Sequence, residues 1–296
     1  MKVKSFEDRF VDIAAIIIVT FVAACCLYPV IFCVSMSLSG NDAIITSSVK
    51  LLPKGFNLES YRLVLQDTTF VRSFLNSVVY TVLGTLISLF FNLTLGYVLS
   101  RRNFVFKNLI TIMILITMMF GGGLIPTFLL IKKLKLYNTI WALLLPGAVS
   151  TWNVILAKTF FQSTIPEDVI ESAIIDGADD FRIFTRIVLP LSTTIIAILA
   201  LYAAVGIWND YFAAMIYIRD KTMQPLQLYL KEILAAQADM SAMGSMLDPS
   251  DYIKNYVNSQ RIKYVLIVVS TLPIMVVYPF IQRYFVKGVM LGSVKG

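Results

Sequence analysis

Apolar residues in this chain come in long blocks, without the spacing of a single helix face or the alternation of a strand. Cutting the sequence at its charged positions leaves six uncharged runs, 13–41, 73–100, 108–131, 136–157, 187–209 and 264–282. Each holds about 19 residues or more, enough to cross roughly 30 Å of hydrocarbon at about 1.5 Å per residue. Outer-membrane-type alternation is absent. The pattern predicts an all-α membrane protein with six transmembrane helices, at about 13–38, 73–100, 108–131, 137–158, 188–213 and 264–283, in a single domain over 1–296. The first run follows a basic start (Lys2, Lys4, Arg9) but is too long for a signal-peptide core and lacks a small-residue cleavage pattern.

Composition agrees with the blocks. Of 296 residues, 58% are apolar and 15% charged; soluble domains carry about a quarter charged residues. The net charge of +7 is spread over span-flanking loops and forms no patch, so nucleic acid is excluded as a partner and a juxtamembrane role expected. Cys25, Cys26 and Cys33 fall in the first run, and the chain has no histidine, so they read as packing residues and no metal site is expected. An even number of spans puts both termini on one side. Basic residues divide almost evenly between the two sides, and charge alone does not choose between them.

Turn signals, Gly40-Asn41-Asp42 and Pro53-Lys54-Gly55, punctuate the polar stretch after the first run. A longer polar segment, 219–263, separates the last two runs. The most informative loop is 159–190. Thr164 can cap a helix with Pro166, Glu167 and Asp168 in its first turn, since acids favour the positive dipole end. Val169, Ile170, Ala173 and Ile174 then share an apolar face. Asp176-Gly177 supplies a stop, with Gly177 available for a left-handed C-cap. Asp179 or Asp180 can cap a second helix with Phe181, Phe184, Ile187 and Val188 on its apolar face. The product is a helix–turn–helix outside the membrane, either a docking element or an interfacial re-entry that only closes the loop.

That loop carries a resemblance. Glu171, Ser172, Ala173, Asp176, Gly177 and Ala178, followed by Leu189 and Pro190, resemble the EAA loop of permease subunits in binding-protein-dependent ABC importers, with Ser172 where alanine is usual. The segment Phe74-Leu75-Asn76-Ser77, the Gly121-Gly122-Gly123 stretch with Pro126, Trp208-Asn209-Asp210 and the tail 284–296 are similar to the carbohydrate, maltose-permease-like branch. The glycine stretch and tail resemble its LplC-type subgroup, linked to oligosaccharides from complex polysaccharides. The resemblance implies a cytoplasmic coupling loop seated in a cleft of an ATPase, both termini cytoplasmic, and a multi-pass protein of the cell membrane. It implies a second homologous permease, two ATPase subunits, an extracytoplasmic solute-binding protein facing the external loop 219–263, and a carbohydrate substrate. It also implies that the tail, Val294, Lys295 and Gly296, reaches the ATPase.

No GxxxxGK[ST] occurs, so ATP and Mg are expected in the partner ATPase, with no cofactor and no catalysis on this chain. Two readings stand for Gly121, Gly122 and Gly123: close helix packing, or an unwound segment by the translocation path. Asp210 falls about 30 Å from Pro190 along an ideal helix, which favours the outer mouth of a path over a charge deep in the membrane. Trp208 and Asn209 beside it suit sugar hydroxyls or an aromatic belt. The alternative class, a self-contained secondary transporter or channel, needs coupling-ion carboxylates inside the spans, and the six runs contain none.

Overall fold

The computed structural model describes residues 6–46, 48–242 and 249–293, and these are helical with no strand. The α-helices are α1 Phe6–Ser37, α2 Asn41–Ile45, α3 Glu59–Gln66, α4 Thr68–Ser100, α5 Lys107–Met119, α6 Leu124–Lys133, α7 Trp141–Leu144, α8 Thr151–Thr164, α9 Glu167–Ile175, α10 Asp180–Ile183, α11 Leu189–Leu191, α12 Thr193–Asn209, α13 Phe212–Tyr217, α14 Leu226–Ala242 and α15 Pro249–Ser293. A π-helical turn, Phe184–Val188, joins α10 to α11, and a 3-10 turn covers Lys221–Met223. Three helical stretches are long and apolar enough to cross a membrane unaided: Phe10–Ser37, Thr68–Ser100 and Ser259–Phe280. Two more apolar runs are bent pairs, Lys107–Met119 with Leu124–Lys133 at 115°, and Asp180–Leu191 with Thr193–Asn209 at 83°.

The chain forms two compact units, Met1–Phe70 with Leu230–Leu272, and Val71–Tyr229 with Pro273–Gly296. In the first, the two turn signals meet. Gly40 N–H donates to the Lys54 carbonyl at 3.0 Å, and a Cβ on Gly40 would lie 2.7 Å from the Gly55 carbonyl oxygen. Glycine is therefore required at 40 by the close backbone approach. Buried serines at and just beyond the end of α1 bind the same loop: the Ser35 hydroxyl donates to Leu51 O at 2.7 Å, and Ser39 Oγ accepts from Lys54 N–H at 3.2 Å. Arg261 of α15, 2% exposed, reaches Asn41 Oδ1 at 2.7 Å and Glu59 Oε2 at 3.7 Å.

The second unit is organised by α4. Its buried face carries Ser73, Ser77, Tyr80, Ser88, Asn92 and Ser100, with Gly84 and Gly96 in the same four-residue rhythm. Small residues at this spacing let neighbouring backbones approach. A Cβ on Gly96 would sit 2.6 Å from Ala157 Cβ and 3.1 Å from Lys158 N, so α4 and α8 are in contact there. A Cβ on Gly84 would lie 2.6 Å from Ile207 Cδ1 of α12.

The run expected at 137–158 is not one helix. It is the short α7, a break, and α8. Pro146 lacks an N–H and disfavours helix at the residue before it, and Gly147 follows. The break frees backbone groups, and Asn92 takes them up. Its side-chain amide donates to Ala148 O at 2.9 Å, while its Oδ1 accepts from Ser150 N–H at 3.0 Å. The same amide nitrogen lies 2.9 Å from Ser88 Oγ. Ser150 Oγ then caps α8 by accepting from Asn153 N–H.

The glycine triplet likewise breaks its run. No atom lies within 4 Å of a Cβ built on Gly121 or Gly122, and Gly123 has φ +82°. Among the described residues of this chain nothing packs closely on Gly121 or Gly122, and the run bends by 115° between α5 and α6 at this triplet.

Two substitutions separate these roles. Asn92→Ala leaves a carbonyl and an N–H without their protein partner and is expected to destabilise by about 2 kcal/mol or more. It should lower the unfolding midpoint of the purified protein in detergent; an unchanged midpoint would contradict the role of Asn92. Gly96→Leu should cost about 1–3 kcal/mol through forced helix separation. Gly121→Ala, with open space around it, should leave the midpoint unmoved in the same assay.

Candidate functional site

The loop 159–190 folds as a helix–turn–helix whose inner face is locked to the second unit. Ile170 and Ala173 of α9 pack with Ile183 and Val188 into a core that also holds Leu93, Tyr97, Ala157, Phe161, Ile165, Ile195 and Leu199. The Tyr97 ring lies 4.8 Å from Phe184 and 6.3 Å from Phe161. The Arg101 guanidinium sits 4.9 Å above Tyr97. Arg102 meets Glu167 at 2.8 Å, an exposed pair that aligns the loop more than it stabilises it.

Between the two helices the backbone reverses through a complete Schellman motif. Gly177 N–H bonds to Ile174 O at 3.0 Å, and Ala178 N–H to Ala173 O at 2.9 Å. Gly177 holds φ +77°, the left-handed conformation that a side chain resists. Asp179 then caps α10 by accepting from Arg182 N–H at 2.7 Å. Pro190 supplies no N–H for an ordinary helical bond, and the π turn absorbs the irregularity, with Leu189 N–H bonded to Phe184 O.

Three local expectations need correction. Thr164 does not cap α9; α8 runs through it, and Pro166 holds the N-cap position. Phe181 is not on the buried face: it is 74% exposed, and Ile183 takes the inward place. Ile174 also points outward, at 54% exposure. The outward tip therefore presents Glu171, Ser172, Ile174, Ile175 and Phe181 together. The tip is apolar with an acidic flank, while its back is fixed to a buried core. This arrangement can transmit a push without deforming.

The residues singled out for a solute path separate in space. Asp210 follows the last residue of α12, and its Oδ1 accepts from Ala213 N–H in the first turn of α13 at 3.1 Å. It lies on the wall of an open cavity of about 770 Å³, whose lining also includes Ser88, Ser150, Trp152, Asn153, Tyr202 and Tyr278. Trp208 is on the other side of α12, 5% exposed, with its ring 5.9 Å from Phe74 in edge-to-face contact. The Asn209 side chain donates back to Val205 O at 2.9 Å. Gly121, Gly122 and Gly123 are not part of that wall. Trp152, Tyr202 and Tyr278 escaped the sequence reading because they lie in three different apolar runs, with no local motif to single them out.

The start of the segment 219–263 is pinned to α4. The Asn76 amide donates to Thr222 O at 2.8 Å and Gln224 O at 3.0 Å, and the Tyr80 hydroxyl to Met223 O at 2.9 Å. Ser77 Oγ accepts from Leu226 N–H at 2.7 Å. Asn138, at φ 60°, accepts from Arg219 and Asp220 N–H on one oxygen. The Asp220 carboxyl is held below its ordinary value by hydrogen bonds from Thr222, first its backbone N–H and then its side chain. The tail residues Val294, Lys295 and Gly296 lie outside the described residues. Among the described residues no cluster of three or more metal-ligating side chains occurs.

Comparison with known proteins agrees with this geometry. Residues 81–291 match the family model described as the binding-protein-dependent transport system inner membrane component. Protein LplC of Bacillus subtilis is 40% identical over 289 residues, covering 97% of this chain and 96% of its own length. The polygalacturonan/rhamnogalacturonan transport system permease protein YtcP of the same organism is 40% identical over 294 residues, covering 98% and 100%. A chain from the crystal structure of a bacterial ABC transporter that imports the acidic polysaccharide alginate superposes with a TM-score of 0.85 at 31% identity, covering 96% of this chain and 100% of that one. With most of its length matched by the family model and nearly all of it by these relatives, the chain belongs to the inner membrane components of binding-protein-dependent ABC transport systems.

Proposed function

We propose that this chain is one of two permease subunits in an ATP-driven importer of oligosaccharides, crossing the cell membrane six times with both termini cytoplasmic. We assign the six crossings to the three unbroken helices, the bent pair α5–α6, the interrupted α7–α8 segment and α12. The relatives' names support the substrate class: YtcP is named for polygalacturonan and rhamnogalacturonan, and AraQ of Bacillus subtilis, 27% identical, for arabinooligosaccharides. Family membership removes the footing of a self-contained secondary transporter or channel.

The observation that carries the coupling role is the two-sidedness of the loop 159–190. Ile170, Ala173, Ile183 and Val188 are buried, while Glu171, Ile174, Ile175 and Phe181 are offered outward. A separate ATPase, which holds ATP and Mg, would receive that tip in a cleft. Gly177 keeps the reversal tight, and Leu189 and Pro190 lead into α12. Closure of the ATPase then moves α8 and α12 as one body, since both pack on the loop's inner face. An extracytoplasmic binding protein would meet the segment 219–263, and the tail 294–296 would reach towards the ATPase.

Glu171→Lys and Gly177→Pro are expected to leave the protein in the membrane at normal abundance while lowering ATP-driven uptake at least about tenfold, within the reach of a ~1–3 kcal/mol coupling free energy. Uptake at the wild-type rate in either variant would contradict the coupling role.

A further inference from the structure

The cavity walled by α4, α8, α12 and α15 has a lining whose chemistry bears on the kind of solute it can take. Its lining contains three large aromatic side chains, Trp152, Tyr202 and Tyr278, which are 57%, 47% and 53% exposed. All three border the space and none is buried in a core. Between them stand hydrogen-bonding groups from Ser88, Ser150 and Asn153. Among the described residues, the one charged side chain of the lining is a carboxylate, Asp210, with no lysine or arginine. Aromatic faces and a few placed polar groups suit the apolar C–H faces and hydroxyl edges of a sugar ring. A lone carboxylate accepts hydrogen bonds from hydroxyls and repels a second carboxylate.

We infer that the wall this chain contributes to the solute path selects uncharged, hydroxyl-rich oligosaccharides and disfavours uronate-containing ones, with Asp210 as the discriminating residue and Trp152 as a stacking surface. This inference rests on the importer reading above and narrows its substrate class. Acidic polysaccharides of the kind named for YtcP and for the alginate transporter would be disfavoured at this wall. Asp210 is suited to the task by its anchoring. One of its oxygens is committed to Ala213 N–H at 3.1 Å, which fixes the carboxylate at the end of α12 on the cavity wall. Two carboxylates about 6 Å apart repel enough to weaken binding on the order of tenfold in a partly aqueous cavity. High salt should shrink that factor, since a Debye length of roughly 3 Å at 1 M screens the pair.

The test is a titration of the full chain in lipid nanodiscs, with and without its co-purified partners, using cellotetraose as the neutral probe and tetragalacturonate as the charged one. Cellotetraose should bind about tenfold more tightly at low salt. Asp210→Asn, which keeps the oxygen that accepts from Ala213 N–H, should bring the two within about twofold by removing the repulsion. Trp152→Ala should weaken cellotetraose and leave the ratio of the two sugars unchanged. Equal or tighter binding of tetragalacturonate, a gap that survives Asp210→Asn, or no saturable binding of either sugar would each overturn the inference. Failure to recover any ATPase with the chain would instead remove the importer reading, while the binding ratio measured on the chain alone would still stand or fall by itself.

Discussion

A backbone N–H or C=O freed from a helix inside an apolar layer must find another partner, because lipid offers none. This constraint shapes the second unit. Its apolar runs are broken at Pro146-Gly147, at the glycine triplet and at Ser192, and each break releases polar groups. The unbroken helix α4 answers the first of these with Asn92 and holds the segment after α13 with Asn76, Ser77 and Tyr80. The small residues between these polar ones bring α8 and α12 close enough for those bonds to form. One helix thus serves as both packing face and hydrogen-bonding rail.

The same helix touches both the loop 159–190 and the cavity. Towards its C-terminal end, Leu93 and Tyr97, with Arg101 just beyond it, hold the aromatic cluster behind that loop. Nearer its middle, Gly84 and Ser88 line the cavity. A movement of the loop's buried face therefore reaches α4, α8 and α12, the elements that shape the cavity wall. Packed helices transmit such a displacement because their interfaces are close-packed and resist gradual deformation. Under the proposed function, alternating access would be a shift of this stiff body driven from the loop 159–190.

Much of this was legible in the sequence, and the losses have physical causes. The coupling loop could be read because its caps are local: acids at the start of α9, Gly177 at its stop and Asp179 at the next start each act within a few residues. The unbroken spans could be read because length and apolarity suffice. The break in the fourth run was missed even though Pro146-Gly147 stood in plain view, because an uncharged run measures hydropathy and not helix continuity. Asn92 was missed because its partners lie 56 and 58 residues away. Its signal was the recurrence of Gly84, Ser88, Asn92, Gly96 and Ser100 every fourth position in an otherwise bulky helix. Phe181 was assigned inward from helical periodicity, which fails where an α-helix passes into a π turn after one turn. The cavity aromatics had no local signal at all.

The most direct test of the central claim is to purify tagged chain from native membranes in mild detergent and identify what accompanies it. The account predicts recovery of an ATPase subunit and a second multi-span permease, with solute uptake in proteoliposomes that requires ATP. Recovery of the chain alone, passing oligosaccharide into liposomes without ATP, would contradict it.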